Sequence, residues 1–261
     1  MKALSIAATG MQAQQFNVEV TSNNIANMNT TGFKTRRAEF QDLMYQSQDR
    51  SGSLTSNSGT IRPVGVDVGL GVRAAGVTRI GTQGSLANTD NKLDLAIDGQ
   101  GLFQVNMPDG TTAYTRAGAF QLSPEGMIVT NEGHEVAPGI AVPENTVDIE
   151  INQQGVVMAY VGNDTEPQEL GQLTIATFTN EAGLKALGGN LLQETPASGA
   201  AINGEPGEPG FGRLMQGYVE QSNVSTIQEI TKLISAQRAY EMNSKVVETA
   251  DQMMSTSSNM R

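Results

Sequence analysis

The sequence has neither cysteine nor tryptophan, and aromatic residues fill only 5% of its 261 positions. Without thiols there is no disulfide framework and no thiolate metal site, so the redox compartment stays open. Hydrophobic residues stand at 38%, and with the 29 glycines counted the share falls within the roughly 45–50% usual for soluble globular domains. No run approaches the about 20 apolar residues that a helix needs to span a bilayer. Behind Lys2, the polar residues Thr9, Gln12, Gln14, Gln15 and Asn17 interrupt any apolar stretch. A cleavable secretory leader is therefore not expected, and export, if it occurs, must leave this end intact.

What is present is unevenly arranged. The net charge is −11, but residues 1–45 carry four basic and three acidic side chains and residues 221–261 four of each. Residues 46–220 carry eight basic and twenty acidic ones. An acidic middle argues against nucleic acid, whose phosphates need a positive surface. Near-neutral ends suit packing against many copies of the same chain; the plainer reading is that acidic surfaces keep proteins soluble.

The two ends predict helices. Leu4, Met11, Val18 and Ile25 recur every seven residues, as do Leu233, Tyr240, Val247 and Met254. Sustained heptads of this kind mark a coiled coil or a long bundle. Neither stretch contains proline, and the only glycine is Gly10. The first helix should be roughly 40 Å long and the second longer. Polar residues at Gln14, Thr21, Asn243 and Ser257 keep the apolar seams narrow. Such helices should be marginal alone and gain order when partners cover them. The alternative is that both pack within one molecule on the middle domain.

The middle predicts strands, with period-two alternation at Leu93–Asp98 and Val147–Ile151 and turns at Pro124-Glu125-Gly126, Asn131-Glu132-Gly133 and Asn152-Gln153-Gln154-Gly155. The expected class is α+β: long N- and C-terminal helices as a coiled-coil-like pair, joined by extended legs to a central antiparallel β-domain. The expected boundaries are 1–32 and 222–261 for the helical domain and 75–200 for the β-domain. Between them come legs at 33–74 and 201–221, the first with a polar insert at 46–64. Residues 46–60 contain Leu54 as their one apolar residue and Pro196–Arg213 is rich in proline and glycine; disorder is the plainer expectation for these two segments.

The search for chemistry finds none. His134 is the only histidine, too few for a multi-histidine metal centre, and no serine or cysteine motif surrounds it. The many carboxylates fall mainly on the polar phase of strands or in turns, as a solvated face would place them. Gly69-Leu70-Gly71-Val72-Arg73-Ala74 matches a dinucleotide fingerprint only superficially, because that motif needs a βαβ setting. Gly204–Gly210 holds too few collagen-like triplets for a triple helix. Lys34-Thr35-Arg36-Arg37 is expected to be a solvated basic face. No cofactor, metal or catalytic residue is expected.

One stretch is highly specific. Ser22-Asn23-Asn24-Ile25-Ala26-Asn27-Met28-Asn29-Thr30-Thr31-Gly32-Phe33-Lys34 ends a helix, with Gly32 free to take positive φ and Phe33 available as an anchor. It resembles the N-terminal signature of the flagellar basal-body rod protein family, with Asn24, Asn27, Gly32 and Phe33 as motif residues. Asp98–Val105, Tyr114–Phe120, Gly217–Val224 and Gln237–Lys245 resemble the family's other signatures. Length and the insert after Tyr45 point to its distal-rod branch. The resemblance implies a self-assembling helical homopolymer that transmits torque, with Leu4, Met11, Val18, Ile25, Leu233, Tyr240, Val247 and Met254 packing between subunits around an export channel. It further implies proximal-rod, hook, P-ring and L-ring proteins as partners, a periplasm-spanning basal-body location, export through the flagellar type III channel, and no membrane insertion.

Overall fold

The computed structural model describes residues 2–49, 64–162 and 166–259. Residues 50–63, most of the expected polar insert, lie outside the described residues. Helices occupy Lys2–Ala26 (α1) and Thr226–Asn259 (α2), and antiparallel strands fill the chain between them. At about 1.5 Å per residue, α1 is some 37 Å long and α2 some 50 Å. The chain forms an α+β structure of two compact units, one of Met1–Ile25, Arg36–Thr78 and Thr226–Arg261, the other of Ala26–Thr35 and Arg79–Ser225.

In the first unit α1 and α2 run antiparallel, with Asn24 bonded to Glu229 and Gly10 beside Asn243. The side chains buried between them are small or polar: Ala7, Ala13, Thr21 and Asn24 on α1, and Glu229, Ala236 and Ala250 on α2. Glycine at position 10 permits the approach, for the Asn243 amide lies 2.9 Å from where a Cβ would sit. Strands Arg36–Asp42 and Val72–Arg79 pair, as do Tyr45–Asp49 and Val66–Gly69. Bonds from the Leu43 N–H to the Gly71 carbonyl (2.9 Å) and from the Leu70 N–H to the Met44 carbonyl (3.2 Å) link the two pairs. The chain thus leaves α1 as a two-stranded ribbon, with each strand supplying the backbone partners its neighbour needs.

In the second unit a sheet runs through strands Lys185–Gly188, Leu191–Gln193, Thr112–Thr115, Leu102–Asn106, Glu135–Val136, Ile128–Thr130 and Phe120–Leu122. Its core gathers Leu95, Ile97, Phe103, Phe120, Ile128, Val136, Val157, Leu173, Ile175 and Leu214. Phe103 and Phe120 meet edge-to-face with ring centres 5.1 Å apart, a favoured aromatic geometry. Residues 201–221 are built into this unit: Ile202–Gly204 pairs with Ile175–Thr177, Arg213–Gln216 with Leu95–Asp98, and Tyr218–Glu220 with Leu86–Asn88.

Two strand readings need correction. Leu95, Ala96 and Ile97 are all buried, and Asp94 is buried with them, so the alternation there marks no solvated face. Asp94 is sustained by hydrogen bonds from the Thr89 hydroxyl (2.6 Å) and the Asn91 amide (3.0 Å). In the strand Thr146–Ile151 the register shifts between Thr146 and Asp148. That bulge turns Val147 outward, 73% exposed, despite its place in the apolar phase.

Candidate functional site

The sequence motifs converge on two polar joints, one in each unit. In the second unit, Tyr218–Glu220 carries Glu220, whose side chain is 1% exposed. Its carboxylate accepts hydrogen bonds from Arg116 Nε (2.5 Å), Lys34 Nζ (2.5 Å) and the Gly84 N–H (2.9 Å). Arg116 also donates to the carbonyls of Gly101 (2.5 Å), Ile97 (2.7 Å) and Gly99 (2.7 Å). Lys34 donates to the Thr82 carbonyl at 2.9 Å. Every charge in the cluster is therefore both paired and hydrogen-bonded, the condition under which burial of ions is tolerated.

The electrostatics follow from that geometry. Burial pushes the Glu220 carboxyl up, but the Arg116 charge and the bonds from Lys34 and Gly84 outweigh it and hold it below its ordinary value. For Lys34, burial is the largest influence and lowers its pKa, with Glu220 acting against it. The expectation of a solvated basic face at Lys34–Arg37 is thus corrected. Lys34 is only 12% exposed and Thr35 is buried, while Arg37 does lie outward, 2.7 Å from Glu39.

Gly32 and Asn223 lock the chain around this cluster. The Gly32 N–H donates to the backbone carbonyl of Glu220 at 2.8 Å, and Gly32 has φ +70°. A Cβ there would lie 2.7 Å from the Ala117 nitrogen and 2.8 Å from the Arg116 carbonyl carbon, so position 32 has neither the conformation nor the space for a side chain. The Asn223 Oδ1 accepts from the Thr35 N–H and hydroxyl (both 2.7 Å). Its amide donates to the carbonyls of Ile80 (3.0 Å) and Thr82 (2.9 Å).

The joint in the first unit is built on Asn24. Its Nδ2 donates to the Arg36 carbonyl (2.8 Å) and to Glu229 Oε2 (2.9 Å), while its Oδ1 accepts from the Arg36 N–H (2.9 Å). Lys232 completes the pairing of Glu229 at 2.6 Å. One amide side chain thus fastens the end of α1, the start of the ribbon and the first turn of α2. Replacing Asn24 with alanine removes these bonds and leaves buried acceptors unmet. Unfolding by denaturant should show a loss of about 1–3 kcal/mol.

The remaining predicted residues are placed as follows. Asn27 accepts from the Thr30 hydroxyl at 3.1 Å, and the Phe33 N–H donates to the Thr30 carbonyl at 3.2 Å. Leu4, Met11, Val18, Ile25, Leu233 and Val247 are half-buried. Tyr240 is 43% and Met254 38% exposed. The predicted motif residues Asn24 and Gly32 thus belong to different joints. Arg116, Glu220, Asn223 and Glu229 received no role from sequence. For Arg116, Glu220 and Asn223 the signal was a charged or amide residue inside a signature otherwise poor in charge, whereas Glu229 lies outside the signatures; partners up to 205 positions apart could not be paired by reading along the chain.

His134 Nε2 stands 3.6 Å from the Glu132 carboxylate. Among the described residues there is no group of three or more His, Cys, Asp or Glu side chains that could hold a metal ion. None of the described helices is long and apolar enough to cross a membrane. Gly69 closes the strand Val66–Gly69 and Gly71 leads into the strand Val72–Arg79, which is no βαβ setting.

A helical pair, an antiparallel β-unit and buried ionic joints define a chain built for shape. Three family models match it: "Flagella basal body rod protein" over residues 4–34, "Flagellar hook protein FlgE/F/G D1 domain" over 96–159, and "Flagellar basal body rod FlgEFG protein C-terminal" over 215–260. The chain belongs to the flagellar basal-body rod protein family. It is similar over its whole length to the Flagellar basal-body rod protein FlgG of Caulobacter vibrioides, at 56% identity with all of both chains covered. The FlgG proteins of Agrobacterium fabrum (54%, covering 98% of this chain and 97% of the relative) and Bacillus subtilis (36%, covering 100% and 99%) are also similar.

Proposed function

We propose that the chain is a structural subunit of the flagellar distal rod, assembling with copies of itself into a rigid, hollow helical shaft that carries torque through the cell envelope, and that it catalyses no reaction. The observation that carries this reading is the unfinished burial of the helical pair. Its two seams leave Leu4, Met11, Val18, Ile25, Leu233 and Val247 half-covered and Tyr240 and Met254 exposed. Apolar area of that kind gains about 25 cal/mol per Å² when a neighbour covers it. Full-length similarity to the FlgG relatives supports the same assignment.

In this reading residues 1–32 and 222–261 form the inner tube, 75–200 face outward, and 33–74 and 201–221 run between them, the latter as strands paired into the β-unit. Proximal-rod subunits and the hook protein continue the shaft at its ends, and the P- and L-ring proteins surround it. The subunit reaches this place unfolded, through the flagellar secretion channel, with its N-terminus intact.

Tyr240→Glu combined with Met254→Glu tests the reading. Both side chains are exposed, so the stability of the isolated chain should change by no more than about 0.5 kcal/mol per site. Polymer formation, followed by light scattering and electron microscopy, should be lost. Unimpaired polymerisation of the double variant would overturn the role given to these positions. Failure of the unaltered chain to polymerise at any concentration would overturn the reading as a whole.

A further inference from the structure

Among the described residues, the strand Thr146–Ile151 pairs with Val156–Val161 alone, and that strand pairs in turn with Gln168–Gln172. Its other edge is therefore the edge of a sheet. The strand Phe120–Leu122 stands likewise at the end of the large sheet. A groove of about 580 Å³ lies against both, lined by Thr146, Val147, Asp148, Ile149, Leu122 and Pro124 among others. It follows the first strand for roughly 13 Å. Leu122 is 41% and Val147 73% exposed, so apolar side chains stand at its opening. An edge strand beside such a groove is the arrangement that accepts an extended segment from another chain.

The edge is not bare. The Gln216 amide donates to the Ile149 carbonyl (2.8 Å) and accepts from the Ile151 N–H (3.1 Å), taking the backbone positions that a neighbouring strand would use. The same amide nitrogen donates to the Lys92 carbonyl at 2.9 Å. Gln216 itself ends the strand Arg213–Gln216, paired with Leu95–Asp98, so the amide is held from the core of the unit. The Ile149 N–H is occupied too, by the Asp148 carboxylate at 2.7 Å, and Lys92 forms an ion pair with that carboxylate. The register shift between Thr146 and Asp148 breaks the regular spacing of backbone groups along the groove. Pro124, in the groove lining, has no N–H to offer a strand.

We infer that Gln216, aided by the Lys92–Asp148 pair, is an autoinhibitory guard that keeps this edge from taking up an extended strand of a second copy. The intruding strand is Thr146–Ile151 itself. Val147, Ile149 and Ile151 alternate with polar residues along it, a β-branched pattern that pairs readily with its own kind when an edge is free. Asp148 and Glu150 set like charges against such pairing, and the Gln216 amide removes the backbone groups it would need. The guard goes beyond the rod reading and does not depend on it, because a free sheet edge is a hazard to any chain present in many copies.

The test uses the full chain, kept below the concentration at which light scattering reports polymer. The probe is a fluorescein-labelled peptide, T-V-T-I-T-I, which copies the strand with threonine in place of its two acids, and binding is read by fluorescence anisotropy. Gln216→Met keeps the bulk of the side chain and loses the amide. It should bind the peptide at least about tenfold more tightly than the unaltered chain does, the gain expected when two strand hydrogen bonds become available. Asp148→Ala, at a side chain 42% exposed, frees the Ile149 N–H alone and should give a smaller gain. A peptide N-methylated at alternate residues should lose the gain in both. Equal affinity for the unaltered chain and both variants overturns the inference, as does a gain that survives N-methylation. Should Gln216→Met lack the circular dichroism of the unaltered chain, Asp148→Ala decides. None of these outcomes bears on the rod reading, which polymerisation of the unaltered chain tests separately.

Discussion

Glu220→Gln will destabilise the isolated chain by about 3–5 kcal/mol, because it removes the buried negative charge to which both Lys34 and Arg116 are bonded. Lys34 Nζ and Arg116 Nε both lie 2.5 Å from this carboxylate, and a glutamine amide offers a single acceptor oxygen in its place. Denaturant titration at neutral pH would measure the loss. Titration at lower pH tests the cause. The folded-state pKa of Glu220 is depressed, so its contribution is complete above the ordinary glutamate range and fades as pH falls through the folded value. The stability gap between the unaltered chain and the variant should accordingly narrow with acidification. A gap that stays constant down to the acid transition would mean that the lost interaction is packing and not charge.

Gly32→Ala will cost nearly as much, for a different reason. The left-handed φ of +70° costs an L-residue about 1–2 kcal/mol. The new methyl must also displace backbone at Ala117 and Arg116, which lies 2.7–2.8 Å away and is fixed by the Arg116 bonds to Gly99 and Gly101. A total loss of about 3 kcal/mol is expected, the clash adding the 1–3 kcal/mol typical of overpacking. Ala117 and Arg116 belong to a different signature from Gly32, so the damage should reach the cross-linking of Lys34, Arg116 and Glu220. Hydrogen exchange would show it as lost protection at the Gly32 and Gly84 amides. Protection unchanged at Gly84 would confine the effect to the turn.

Both substitutions act on the polar joint within the second unit. The chain passes between its two units at Ile25/Ala26, Thr35/Arg36, Thr78/Arg79 and Ser225/Thr226. Adjacent residues Thr35 and Arg36 are held by different amides, Asn223 in one unit and Asn24 in the other. The family signatures are thereby given a physical reason: three of them supply the pieces of one ionic cluster, and the Asn-Asn-Ile-Ala-Asn run supplies the clamp on the helices.

The sequence by itself determined the helical ends, the β-rich middle, the turns and the family. Each of these is written locally, in heptad spacing, in period-two alternation, in glycine placement and in an uninterrupted run of motif residues. Leu4, Met11, Val18 and Ile25 could be placed on one helical face without any knowledge of what covers them. Tertiary structure alone decided that Glu220 is buried against Lys34 and Arg116, that Asp94 is no surface acid, and that the ribbon strands pair across the polar insert. It also decided that the seam between the helices is filled by alanine, asparagine and glutamate while isoleucines face out. Burial and pairing depend on residues far apart in the chain, and a charge reads the same in sequence whether water or a guanidinium lies beside it.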